Sequence, residues 1–227
     1  MNEPPLLSAT GICKSFRRKT KPVLRDAELE IGAGEVVALV GENGAGKTTL
    51  LRICAGLLPA DAGQVRAAGR IGYCPQEPGV FDLLTADEHL ILFGRAAGLS
   101  RIAAVTQGRT LLRGFGFPHD GRDVARELSG GARQKLNVAL ALLGDPRILL
   151  LDEPYQGFDR GAYVNFWDHV QTWRGEGRAV AVVTHLLAEL DRVDRVVELS
   201  IPKVAPRSVA AMRQAGAAPE SRGGRLR

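Results

Sequence analysis

Long apolar runs are missing from this chain, cysteine is scarce, and its surplus of positive charge is confined to one end. Nowhere in the 227 residues do apolar side chains continue for the 20 or so positions that crossing a bilayer takes. Residues 24–40 carry too many charges, and Ile148 to Leu151 is only long enough for a buried strand. The opening MNEPPLLSAT lacks the basic and then apolar segments of a secretory signal. A soluble chain is therefore expected, with any membrane role exercised through a partner. The three cysteines, Cys13, Cys54 and Cys74, are odd in number, far apart and without a CxxC or nearby histidine pairing. That spacing argues against a disulfide framework or zinc site and for a reducing compartment holding buried or half-buried thiols. Of the 30 basic and 25 acidic residues, six basic and one acidic lie beyond Leu199, which leaves 24 of each sign on the body of the chain. A basic face for nucleic acid is not expected on the fold.

What is present alternates. Segments rich in β-branched and aliphatic residues take turns with amphipathic stretches, the pattern of an α/β domain with a largely parallel sheet. Residues 6–16 and 23–31 read as antiparallel strands joined through the basic turn 17–21. Residues 35–40 form an almost wholly apolar run, as a strand covered on both faces requires. A glycine-rich loop and a helix over about 47–55 follow. Two more buried strands are expected over 147–151 and 179–184, with a helix between them at 162–173. Residues from about 78 to 128 break this rhythm. Helical spacing over 87–99 and 101–115, with Leu90, Leu92, Phe93, Leu111 and Leu112 as apolar faces, predicts a helical insertion. Residues 1–202 thus form one domain, and from 203 onward Pro, Ala, Gly and Arg predict a basic, disordered tail.

Gly41-Glu42-Asn43-Gly44-Ala45-Gly46-Lys47-Thr48 fits G-x-x-x-x-G-K-[ST] and stands between an apolar strand and a helix, the setting that a phosphate loop needs. Glycines let the backbone wrap closely through conformations a Cβ would block. Successive N–H groups, continued by Thr49, then converge on an anion at the positive end of a helix. Lys47 is expected on the β- and γ-phosphates and Thr48 on Mg²⁺. Alone the motif defines a P-loop NTPase, a group that includes kinases, GTPases and helicases. Ile148-Leu149-Leu150-Leu151 runs into Asp152 and Glu153. In a parallel sheet, ligands bind beyond the carboxyl ends of strands. Asp152 is therefore placed beside the loop to hold Mg²⁺, with Glu153 positioned to deprotonate an attacking water, a role worth ~10²–10⁴-fold in rate.

Leu128-Ser129-Gly130-Gly131-Ala132-Arg133-Gln134 precedes a helix expected to run to about Leu143. Ser129 is a good N-cap and the glycines expose amides at the helix start, so a second anion site is built here. One chain has no use for two such sites on one nucleotide; two chains facing each other do.

In order, then, the chain carries GENGAGKT, Cys74-Pro75-Gln76, LSGGARQ, ILLLDEP, Gly157-Phe158-Asp159 and Thr184-His185. This series resembles the nucleotide-binding domain of the ABC protein family, from its Walker A through Q-loop, signature, Walker B and D-loop to its H-loop, over residues 6 to about 199. The resemblance implies a head-to-tail homodimer or heterodimer with two ATP molecules between protomers, each held by one chain's phosphate loop and the other's Ser129, Gly130 and Gly131. It implies that Gln76 touches Mg²⁺ and the attacking water, that His185 reaches the γ-phosphate, and that Asp159 communicates across the dimer. Phe16 stands where the family's adenine-stacking aromatic belongs. The D-loop departs from the pattern, with Tyr155-Gln156-Gly157-Phe158 where small or polar residues and Leu are usual. The single domain, the short insertion and the balanced charge resemble subunits that drive a separate membrane permease. Such a subunit would sit at the cytoplasmic face of the membrane, held there by that permease. Export is the direction the resemblance favours; import, or a soluble ABC ATPase acting on nucleic acid, are the alternatives.

Overall fold

The computed structural model describes residues 4–16, 22–118, 122–184 and 191–201. The expected basic turn at 17–21, His185 and the tail from 203 lie outside the described residues. Five parallel strands form the central sheet in the order β5 (Ile71–Cys74), β6 (Ile148–Asp152), β7 (Ala179–Val183), β3 (Val36–Gly41), β8 (Arg195–Leu199). A second, antiparallel sheet has β1 (Leu7–Lys14) between β2 (Leu24–Ile31) and β4 (Ala62–Ala67). The chain is thus an α/β protein with a parallel core and an N-terminal antiparallel sheet, as the alternation of segments predicts.

Strand periodicity explains how the layers assemble. Every residue of β6 and β7 is buried, and because side chains alternate, each strand feeds two cores. Val37, Leu39, Ile148, Leu150, Ala181 and Val183 face α1 (Lys47–Cys54) and the antiparallel sheet. Val36, Leu149, Leu151, Val180 and Val182 face the opposite way. There they meet α4 (Gly130–Ala141) and α5 (Arg160–Gly175), including Phe166 and Trp167. Strands β3, β6 and β7 read as apolar runs for this reason.

Helices α2 (Ala86–Ala96) and α3 (Arg101–Gly114) fill the expected insertion. Thr85 starts α2 with a reciprocal capping box to Glu88, and Ser100 caps α3. The two helices pack closely enough that a Cβ on Gly94 would stand 2.3 Å from Ala104, and one on Gly108 would stand 2.2 Å from Leu90. One expected face residue is misplaced: Leu90 is buried, but Leu92 is exposed. Residues 90 and 92 lie 200° apart around a helix, so they cannot share a face.

Candidate nucleotide site

Strand β3 ends at Gly41, and α1 begins at Lys47 with Gly46 as its N-cap. Between them the backbone enters the positive-φ region at Gly41 (144°), Gly44 (86°) and Gly46 (98°). Glycine is required at the last by space as well. A Cβ there would lie 2.6 Å from Leu24 Cδ2 and 3.0 Å from the Val23 carbonyl oxygen. Around Gly44 nothing lies within 4 Å, so the rim of the loop is open. Ala45 is buried beneath it. Lys47 is also buried, and its Nζ donates to the carbonyls of Gly41 (2.7 Å) and Glu42 (3.1 Å). Those neutral acceptors hold the ammonium inside the turn without cancelling its charge, beside the N-terminal amides of α1. The arrangement is an anion cradle.

A cleft of about 390 Å³ opens on this loop. Phe16, Asn43, Gly44, Lys47, Thr48 and Thr49 line it together with Gln76 and Glu153. The fold thus brings together residues from the segment after β1, the phosphate loop, the segment after β5 and the residue that follows β6. Phe16 is a partly exposed wall of the cleft (39%), not a core side chain, and Lys14 Nζ lies 5.8 Å from its ring centre. Larger concavities exist elsewhere, among them a groove of about 510 Å³ between β5, α2 and α4.

Asp152 closes β6 and is buried. Its charge is felt on β5, where desolvation first and Asp152 second push the Tyr73 phenol up to about 12. Glu153 follows with φ of 47°, a left-handed conformation that costs a non-glycine residue about 1–3 kcal/mol and is held only where surroundings dictate it. Here Gln156 N–H (3.2 Å) and Gln134 Nε2 (3.5 Å) both donate to the Glu153 carbonyl. The Thr48 hydroxyl, the Gln76 side-chain oxygen and the Asp152 carboxylate are hard oxygen donors, the chemistry that suits Mg²⁺. Among the described residues no three His, Cys, Asp or Glu side chains cluster into a cage. Of these donors Thr48 and Gln76 line the cleft, while Asp152 lies buried at the end of β6 and is not part of its lining.

The signature motif stands apart from the cleft. Ser129 caps α4, its Oγ accepting from Ala132 N–H at 3.2 Å, and at the helix start Gly130 is exposed and Gly131 half-buried. None of the three lines the cleft of its own chain. Behind them, a Cβ on Gly131 would lie 2.7 Å from the Gly157 carbonyl oxygen, so the signature rests on the D-loop. Asp159 caps α5, accepting from Ala162 N–H at 2.8 Å, and that bond holds its carboxyl below its usual range.

Several polar contacts around the site escape sequence reading. Tyr155 Oη donates to Thr184 Oγ1 at 2.5 Å, and its ring packs edge-on against Tyr163 and Phe166. The aromatic residue in the unusual D-loop thus ties it to the end of β7. Arg133 pairs with Asp82 at 2.8 Å. His89 is fully buried, accepting at Nε2 from Phe81 N–H and bonded through Nδ1 to the Thr85 carbonyl, each at 2.7 Å. The one available signal was a pair of amides, Gln134 and Asn137, on a helix otherwise apolar from Leu136 to Leu143.

Residues 24–156 match the family model described as ABC transporter. The chain is 36% identical over 205 residues to ATP-binding cassette sub-family A member 7 of Rattus norvegicus, covering 85% of this chain but only 9% of that protein. It is 32% identical over 209 residues to the doxorubicin resistance ATP-binding protein DrrA of Mycobacterium tuberculosis (strain CDC 1551 / Oshkosh), covering 86% of this chain and 63% of that one. Among solved structures, the dimeric MJ0796, a bacterial ABC transporter cassette, superposes with a TM-score of 0.79 at 23% identity, covering 86% and 94% of the two chains. The chain belongs to the ABC transporter family and carries its ATPase-type nucleotide-binding domain.

Proposed function

We propose that this chain binds and hydrolyses ATP to drive export through a separate membrane permease, as one half of a head-to-tail homodimer or heterodimer. The observation that carries the reading is the division of the site. The phosphate loop, Gln76 and Glu153 share one cleft, while the second anion site at Ser129, Gly130 and Gly131 is not part of its lining. A partner chain's signature closing over the nucleotide completes the site, and the solved MJ0796 cassette is dimeric. Phe16 stacks on the adenine, an interaction worth ~1–3 kcal/mol. Lys47 and the loop amides bind the β- and γ-phosphates. Thr48, Gln76 and Asp152 hold Mg²⁺, which supplies charge neutralisation on the phosphates. Glu153 takes the proton of the attacking water as its oxygen bonds to the γ-phosphorus and the bond to ADP breaks. His185, outside the described residues, is assigned to the γ-phosphate.

No helix among the described residues is long and apolar enough to cross a membrane. A permease is the means by which such a domain acts on a membrane, at its cytoplasmic face. The groove between Tyr73, Pro75, Phe93 and Leu140, with exposed Phe81 and Leu83 close by in sequence, is the seat proposed for it. Export rests on the likeness to a resistance ATP-binding protein. Balanced charge on the body of the chain weighs against nucleic acid as the partner. Phosphate release from Mg²⁺–ATP tests the site: Lys47→Ala is expected to abolish it. Unchanged turnover would refute the role given to the loop.

A further inference from the structure

We infer that Asn137, two turns along the helix that the signature motif begins, is the positioning residue for Gln76, binding the Gln76 loop to that helix so that the two move as one unit. The inference rests on the function proposed above and adds a residue to it. The Asn137 side chain is 4% exposed. Its Nδ2 donates to the Pro75 carbonyl at 2.8 Å and to Cys74 Sγ at 3.2 Å. Its Oδ1 accepts from Gly79 N–H at 3.4 Å. One amide therefore grips the chain immediately before Gln76 and again three residues after it. One turn earlier on α4, Gln134 Oε1 accepts from the same Nδ2 at 3.3 Å, while Gln134 Nε2 donates to the Glu153 carbonyl at 3.5 Å. Arg133 adds an ion pair to Asp82, further along the same loop.

An amide buried on an apolar helix is destabilising unless bonded. Here Leu136, Val138 and Ala139 around it are fully buried, and the amide's partners are all backbone or side-chain atoms of the loop and helix. Asn137 also forms part of the groove wall, with Pro75, Gly79 and Phe93. Whatever seats in that groove presses on the residues that Asn137 holds. The helix then carries the displacement to Ser129, about 12 Å away at 1.5 Å per residue. Groove, Gln76 and signature are linked through one side chain.

A double-mutant cycle tests this on the whole chain: wild type, Asn137→Ala, Gln76→Ala and the double variant, each measured for kcat and KM with Mg²⁺–ATP. Asn137→Ala is expected to lower kcat about 10–100-fold, the scale of a small misplacement, with little change in KM. In the Gln76→Ala background it should remove little more, because its target is already gone. An equal fold loss in both backgrounds, or an unchanged kcat, overturns the inference. Hydrogen exchange of the segment 75–82 reads the tether without turnover: faster exchange in Asn137→Ala is expected, and unaltered protection overturns it. If the wild type itself fails to hydrolyse ATP, the proposed function falls, and the exchange result alone decides the tether. Asn137→Ser repeats both measurements should the alanine variant fail to fold.

Discussion

The two adjacent glycines of the signature should respond differently to the same added methyl group. Gly130 has nothing within 4 Å of where its Cβ would be, whereas a Cβ on Gly131 would meet the Gly157 carbonyl oxygen at 2.7 Å. Ordinary contact begins at 3.4 Å, so the D-loop would have to retreat by about 0.7 Å. Both positions lie in the first turn of α4, and the gain in helix propensity on going to alanine, up to about 1 kcal/mol, largely cancels between them. What remains is the overpacking at Gly131, about 1–3 kcal/mol. For a chain of this size each kcal/mol moves Tm by roughly 2–4 °C. Thermal unfolding should therefore place Gly131→Ala about 2–12 °C below Gly130→Ala, with Gly130→Ala at or above the wild type. If Gly131→Ala melts with or above Gly130→Ala, the signature does not rest on the D-loop as described.

Two further outcomes are expected. Tyr155→Phe keeps the aromatic packing and removes the hydroxyl that bonds Thr184, so it should destabilise the chain by about 1 kcal/mol in urea titration; no change would mean that the bond contributes nothing. Stability should also fall with pH in a window set by His89. Its burial holds the pKa below 6.5, so the unfolded chain takes up a proton that the native ring refuses, and stability declines as pH drops through about 6.5. Glu88 and Asp159, with pKa values lowered by backbone bonds to Thr85 and Ala162, stabilise the chain above their unfolded values and lose that contribution only below about pH 4. A urea midpoint that does not move between about pH 7 and pH 5.5, or one that moves equally in His89→Gln, would contradict the assignment.

Legibility in the sequence followed burial and contiguity. Strands β3, β6 and β7 were readable because both faces are covered and every position except the closing Asp152 of β6 is apolar or small. By contrast, β4 is mostly exposed and includes Gly63 at φ 93°, β5 has four residues, and β8 carries Arg195 and Glu198 on a sheet edge; none has a period to read. The site divides the same way. Gly41 to Thr49, Asp152, Glu153 and Ser129 to Gly131 are contiguous motifs whose backbone does the work, and local sequence carries them. Asn137 with Cys74, Arg133 with Asp82, and Tyr155 with Thr184 are pairs separated by 63, 51 and 29 residues. Only tertiary packing brings them together, and no local pattern encodes the pairing. The placement of Leu92 was an error of phase, which a 100° helical step would have corrected.

The central claim is that one chain's signature completes another chain's nucleotide site. Sedimentation of the wild type and Glu153→Gln with and without Mg²⁺–ATP, beside phosphate release, tests it most directly. The account predicts that the wild type releases phosphate and that the variant, still able to bind ATP but deprived of its base, sediments as a nucleotide-dependent dimer. A variant that binds ATP at saturation and stays monomeric would contradict it.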